Sequence, residues 1–112
     1  MSIIDASTRT GSNPINLGTL TTGSTNVVNV TDSKDLMITI TMAGTPDDVF
    51  AVEGSMNNVS WANLAADGTN TTIDSAKTEI FVFDGSLPPY VRIRKVSGVN
   101  PATVYLYLGR IS

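Results

Sequence analysis

The chain is predicted to fold as an all-β protein, an antiparallel β-sandwich of jelly-roll or immunoglobulin-like type with a flexible N-terminal arm. Three observations predict it. Apolar residues recur with a period of two over several stretches of strand length. Gly, Pro, Asn, Asp and Ser interrupt those stretches every few residues, as in sandwiches and barrels. No stretch carries convincing helical spacing. At 112 residues the chain suits one domain able to bury a core without metals or disulfides.

Residues 1–13, rich in Ser and Thr and ending in "GSNP", read as an arm that stays mobile or orders on a partner; the folded domain spans 14–112. Two strands, "INLGTLT" and "TNVVNVT", are joined by "TGS". The clearest strand follows, "DLMITITMAG", with Leu36, Ile38, Ile40 and Met42 on the core face and Met37, Thr39 and Thr41 on the other. "DVFAVEGSM" is entered through a turn at Thr45 to Asp48 and points Phe50 and Val52 inward. "SWANLAA" is a short strand or edge piece and "TNTTIDS" a polar one. "KTEIFVFDG" is apolar on both faces, Ile80 and Val82 against Phe81 and Phe83, as expected of a strand covered by other elements or by another subunit.

The last two strands, "YVRIRKV" and "TVYLYLG", flank "SGVNPA" and are expected to form a hairpin. Symmetric pairing sets Val91 against Leu108 and Ile93 against Leu106 in the core. It also sets Arg92 opposite Tyr107 and Arg94 opposite Tyr105 on the outer face. A slip by one residue would bury both arginines, which favours this register.

Composition narrows the function. Ten acidic and seven basic residues leave a formal charge of −3, and no block of Lys or Arg offers the electrostatic footprint of a nucleic-acid or anionic-membrane binder. No signal-peptide pattern and no apolar run of spanning length occur, so the chain reads as made and used in the cytoplasm, or carried in something assembled there. There is no cysteine and no histidine, which removes disulfides, thiol chemistry and the commonest general base and metal ligand. The serines lack an activating base, a G-x-S-x-G elbow or an S-x-x-K motif, and the glycines form no phosphate-binding loop. Asp47, Asp48 and the pair Asp32 and Asp35 read as turn residues, because neither stretch provides the alternating oxygen ligands of a calcium loop. The three N-x-S/T triplets are those expected of a chain rich in Asn, Ser and Thr. No catalytic, metal or cofactor site is expected.

Two groups of residues are candidate binding sites. Trp61, the only tryptophan, follows the polar turn at Asn57 and Asn58. There it can stack on a sugar ring or base, or fill the end of the sandwich. Arg92, Arg94, Tyr105 and Tyr107, with Phe81 and Phe83, have the composition of protein interfaces. Cross-strand Arg–Tyr pairs also stabilise an ordinary solvent-facing sheet, by about 0.5–1 kcal/mol when exposed.

The succession "FAVEGSMNNVSWANL", "PPYVRIRKVSG" and "TVYLYLGRIS" resembles small β-sandwich accessory proteins of tailed bacteriophages, particularly capsid decoration or cement proteins. The likeness covers roughly residues 36–110. Similar "G-S-x-D-G-x-x-W" turns occur in other β-sandwich modules, sugar-binding ones included. Here Asn57-Asn58 replaces the Asp-Gly, which keeps the left-handed turn chemistry and removes a carboxylate that could hold a metal. The resemblance implies a non-enzymatic virion protein on the capsid surface, made in the host cytoplasm. It would assemble as a small homo-oligomer, a trimer foremost, and bind the major capsid protein. It implies contacts through Phe81, Phe83, Arg92, Arg94, Tyr105 and Tyr107, with the arm ordering across the shell. The rival expectation is a tail, baseplate or other carbohydrate-binding module using Trp61, Asn57 and Asn58.

Overall fold

The computed structural model describes residues 3–5, 14–31, 35–44, 47–64, 71–73, 77–83 and 87–109. Among them lie ten strands and no helix: β1 (Ile4–Asp5), β2 (Ile15–Leu20), β3 (Val28–Asn29), β4 (Asp35–Met42), β5 (Asp48–Ser55), β6 (Ala62–Asn63), β7 (Thr71–Ile73), β8 (Lys77–Phe83), β9 (Tyr90–Ser97) and β10 (Ala102–Gly109). They form two packed sheets, so the all-β sandwich is the observed fold. One sheet runs β1-β3-β9-β5-β6, with β7 also on β5; the other runs β2-β10-β4-β8. All pairings are antiparallel except β1 on β3. Of the segment read as an arm, Ile4 and Asp5 join the sheet, with Ile4 N donating to Val27 O at 2.8 Å. Residues 6–13 lie outside the described residues.

The period-two pattern explains the core. Leu36, Ile38, Ile40 and Met42 of β4 are buried, as are Val104, Leu106 and Leu108 of β10 and Val91 and Ile93 of β9. Phe50 and Val52 of β5 meet them from the first sheet, and Phe81 and Phe83 pack against the cluster from its edge. A bulge between β2 and β10 is stabilised at Gly18, whose N–H donates to Asn16 Oδ1 at 2.7 Å.

The expected hairpin of the last two strands is not formed. β9 pairs with β5 and β3, whereas β10 pairs with β4 and β2 in the opposite sheet. The inward parity is nevertheless the expected one, since Val91, Ile93, Leu106 and Leu108 are all buried. The chain crosses between layers at residues 98–100, and a buried polar cluster holds that corner. Asp48 Oδ2 and Lys95 Nζ form an ion pair at 2.7 Å, with both side chains almost wholly removed from solvent. Asp48 also accepts hydrogen bonds from Asn100 N at 3.1 Å and Asn100 Nδ2 at 2.8 Å, while Lys95 Nζ donates to Asn100 O. A bulge at Val96 brings Lys95 opposite Phe50, placing Nζ 5.1 Å from the ring centroid. Gly98 completes the corner: its φ is +97°, and a Cβ there would lie 2.4 Å from Asp48 Cγ. Asp48, read above as a turn residue, is therefore a buried strand residue with a specific partner.

Burial opposes the charge on Asp48. The hydrogen bonds from Asn100 and Lys95, together with the Lys95 charge, outweigh it and hold the carboxyl below its ordinary value. Asp48→Ala leaves Lys95 buried without its counterion and is expected to cost about 3–5 kcal/mol in urea unfolding, whereas Asp48→Leu with Lys95→Met costs much less. Because the folded pKa is the lower one, the Asp48 contribution is complete above the ordinary aspartate value of about 3.8 and is lost as pH falls through the folded value. The stability gap between wild type and Asp48→Ala should accordingly narrow below that pH. A gap unchanged down to acid unfolding would contradict the assignment.

Candidate functional site

The two outer faces of the sandwich differ in chemistry. On the six-stranded sheet, Glu53 of β5 faces Arg92 of β9 across the pairing, and Arg94 lies two residues further along. Arg92 Nε donates to Glu53 Oε1 and Arg94 Nε to Glu53 Oε2, each at 2.8 Å. Glu53 is only 5% exposed although it points outward, because the two guanidinium groups cover it. Burial raises the cost of its charge, and the hydrogen bonds and charges of Arg94 and Arg92 outweigh that cost, so its carboxyl also lies below the usual range. The Arg92 guanidinium stacks on Trp61, with Cζ 4.1 Å from the ring centroid. Trp61 thus belongs to this outer network and not to the core cluster.

Beside Trp61 opens a pocket of about 390 Å³ lined by Gly54, by the turn residues Ser55, Met56, Asn57 and Ser60 and by Leu64 and Pro88. The turn is held from within. Ser55 Oγ accepts from the N–H groups of Asn57 and Asn58 at 3.3 and 2.9 Å, and Asn57 Oδ1 accepts from those of Val59 and Ser60 at 2.9 and 3.0 Å. Asn58 has φ +61°, the left-handed conformation anticipated for this turn. Gly54 is required by contact, since a Cβ would meet Pro88 Cγ at 2.5 Å.

The four-stranded sheet carries a different face. Pairing aligns Tyr107, Met37 and Val82 in one row, Tyr105, Thr39 and Ile80 in the next, and Thr103, Thr41 and Thr78 in the third. None of these nine side chains is charged. Ile80 and Val82 are 57% and 58% exposed, and Met37 and Tyr105 are about 40% exposed. Thr41 and Thr78 share a hydroxyl hydrogen bond of 2.9 Å.

The six residues read as an interface therefore do not share one surface. Arg92 and Arg94 lie on one sheet and Tyr105 and Tyr107 on the other, so the Arg–Tyr ladder is absent, while Phe81 and Phe83 turn toward the core. Trp61 and Asn57 do meet, at the pocket; Asn58 shapes the turn. The residues missed by pattern reading are Glu53, the shared partner of both arginines, and Ile80, Val82 and Met37 as a joint exposed patch. Among the described residues, no group of three or more acidic side chains could hold a metal. No family model matches the chain, and no curated protein matches it.

Removing the Arg92 guanidinium uncovers one indole face. Arg92→Ala is expected to shift the emission of the single tryptophan to longer wavelength, with a stability loss of about 0.5–1 kcal/mol. Arg94→Ala should leave the emission in place. Identical spectra for wild type and Arg92→Ala would rule out the stacking.

Proposed function

We propose that this chain is a non-enzymatic structural protein of a phage virion, a decoration or cement protein that assembles as a small homo-oligomer and binds the major capsid protein. The observation that carries the proposal is the set of nine uncharged side chains on the outer face of the four-stranded sheet, where Met37, Ile80, Val82 and Tyr105 lie exposed together and Asp35 stands beyond them at the start of β4. A contiguous exposed apolar patch of this kind marks an interaction surface. Interface centres are depleted of charge and enriched in Tyr and Met, which is the composition found here. The resemblance of residues 36–110 to decoration proteins supplies the biological setting, and the face supplies a physical means of adding buried area between shell subunits.

The contact surface follows as a revision of the residue set expected from sequence: Tyr105 and Tyr107 stay in it, Ile80, Val82 and Met37 join it, and Phe81 and Phe83 act behind it by holding β8 to the core. Arg92 and Arg94 belong to the opposite face. Light scattering on the native protein over a range of concentrations is expected to give a closed oligomer. Ile80→Lys with Val82→Lys is expected to give a monomer with an unchanged circular dichroism spectrum, because both side chains are more than half exposed. A wild type that is monomeric throughout and binds shells no better than the double variant would sink the proposal.

A further inference from the structure

The pocket beside Trp61 has no part in the assembly surface, which lies on the other sheet. We infer that it is a binding site for one ring of a neutral hexopyranose, with Trp61 as the apolar wall and the Ser55 to Ser60 turn as the polar one. Its volume of about 390 Å³ lies at the lower end of ligand pockets, ~300–1,000 Å³, and suits a single sugar ring with its ordered water.

The chemistry of the walls selects the ligand class. A pyranose presents C–H groups on its faces and hydroxyls around its rim, so it needs a flat apolar surface beside amide and hydroxyl partners. Trp61, Leu64 and Pro88 provide the first, and Asn57 and Ser60 the second. Among the described residues, none that lines the pocket is charged, which disfavours a phosphate or an acidic sugar. The nearest cation, Arg92, stands outside the lining and is engaged by Glu53. A lipid tail would need an apolar wall throughout, and the turn side of this one carries Asn57 and Ser60.

The site is also built before any ligand arrives. Arg92 packs on one face of the indole, and Glu53 holds Arg92 in turn, so the orientation of Trp61 is set. Asn57 Oδ1 is committed to the turn, so the group its side chain has to offer is the Nδ2 donor. Such prior ordering lowers the entropic cost of binding.

The test uses the full chain and its single tryptophan. The methyl glycosides of mannose, glucose and galactose, N-acetylglucosamine, and dextran as a neutral polymer are titrated against the emission of Trp61, with glucuronic acid as the charged control. Saturation-transfer NMR on the same mixtures detects binding that leaves the emission unmoved. The expected result is a saturable response with millimolar Kd to at least one neutral sugar, absent for glucuronic acid. A response to a glycoside alone identifies a terminal ring as the ligand, and a response to dextran alone an internal one. Ala62 is exposed at the pocket, so Ala62→Phe fills it from the solvent side without adding a tryptophan, and is expected to abolish the response. Silence of every neutral sugar in both measurements, or an unaltered response in Ala62→Phe, would overturn the inference.

Discussion

The buried ion pair between Asp48 and Lys95 is the constraint on which the arrangement of this sandwich depends. Two opposite charges removed from water are tolerated only when each finds its partners, and here Asn100 bonds to both and Asp47 N donates to Asp48 Oδ1 as well. That requirement ties the start of β5, the end of β9 and the loop after it to a single point. Gly98 lets the backbone pass against the Asp48 carboxylate where any side chain would collide. The chain therefore leaves β9 at a fixed corner and enters β10 in the other layer. A tight hairpin would have kept both strands in one sheet.

From that corner follows the division of chemistry between the two outer faces. Had β9 and β10 paired, their outward residues would have mixed guanidinium and phenol groups on one surface. With the strands in separate sheets, Arg92 and Arg94 converge on Glu53 and Arg92 supports Trp61, while Tyr105 and Tyr107 stand beside Met37, Ile80 and Val82. One face pairs two arginines with a single glutamate and frames a small pocket. The other presents three rows of apolar and hydroxyl groups with no charge among them, which is what the centre of a subunit contact requires. The proposed assembly through one face would leave the other available to solvent and ligand.

Local pattern made most strands legible. In β4 the alternation of Leu36, Ile38, Ile40 and Met42 with polar neighbours left one solution, and Asn57-Asn58 identified a left-handed turn because few other residues accept that conformation. Strand partners were less legible, because parity says which way a side chain points and nothing about which sheet it points from. The same parity did contain the missed signal. Lys95 falls in phase with Val91 and Ile93, and Asp48 in phase with Phe50 and Val52, so a cation and an anion both sat at inward positions. Two such residues need each other, and satisfying them sets β5 beside β9. The Glu53–Arg92–Trp61 chain and the pocket join residues far apart in sequence, and only the pairing of β5 with β9 brings them together.

The most direct measurement is by NMR: the Lys95 side-chain ammonium and the cross-strand contacts of β9 and β10. The account predicts Lys95 Nζ protons that exchange slowly enough to be seen, with contacts to Asn100 and the Phe50 ring. It also predicts backbone contacts of Ile93 with Val52 and of Leu106 with Ile38. A Lys95 ammonium exchanging as fast as a surface lysine, with Ile93 paired to Leu106, would contradict it: the last two strands would then be a hairpin, and the two faces would not be separate.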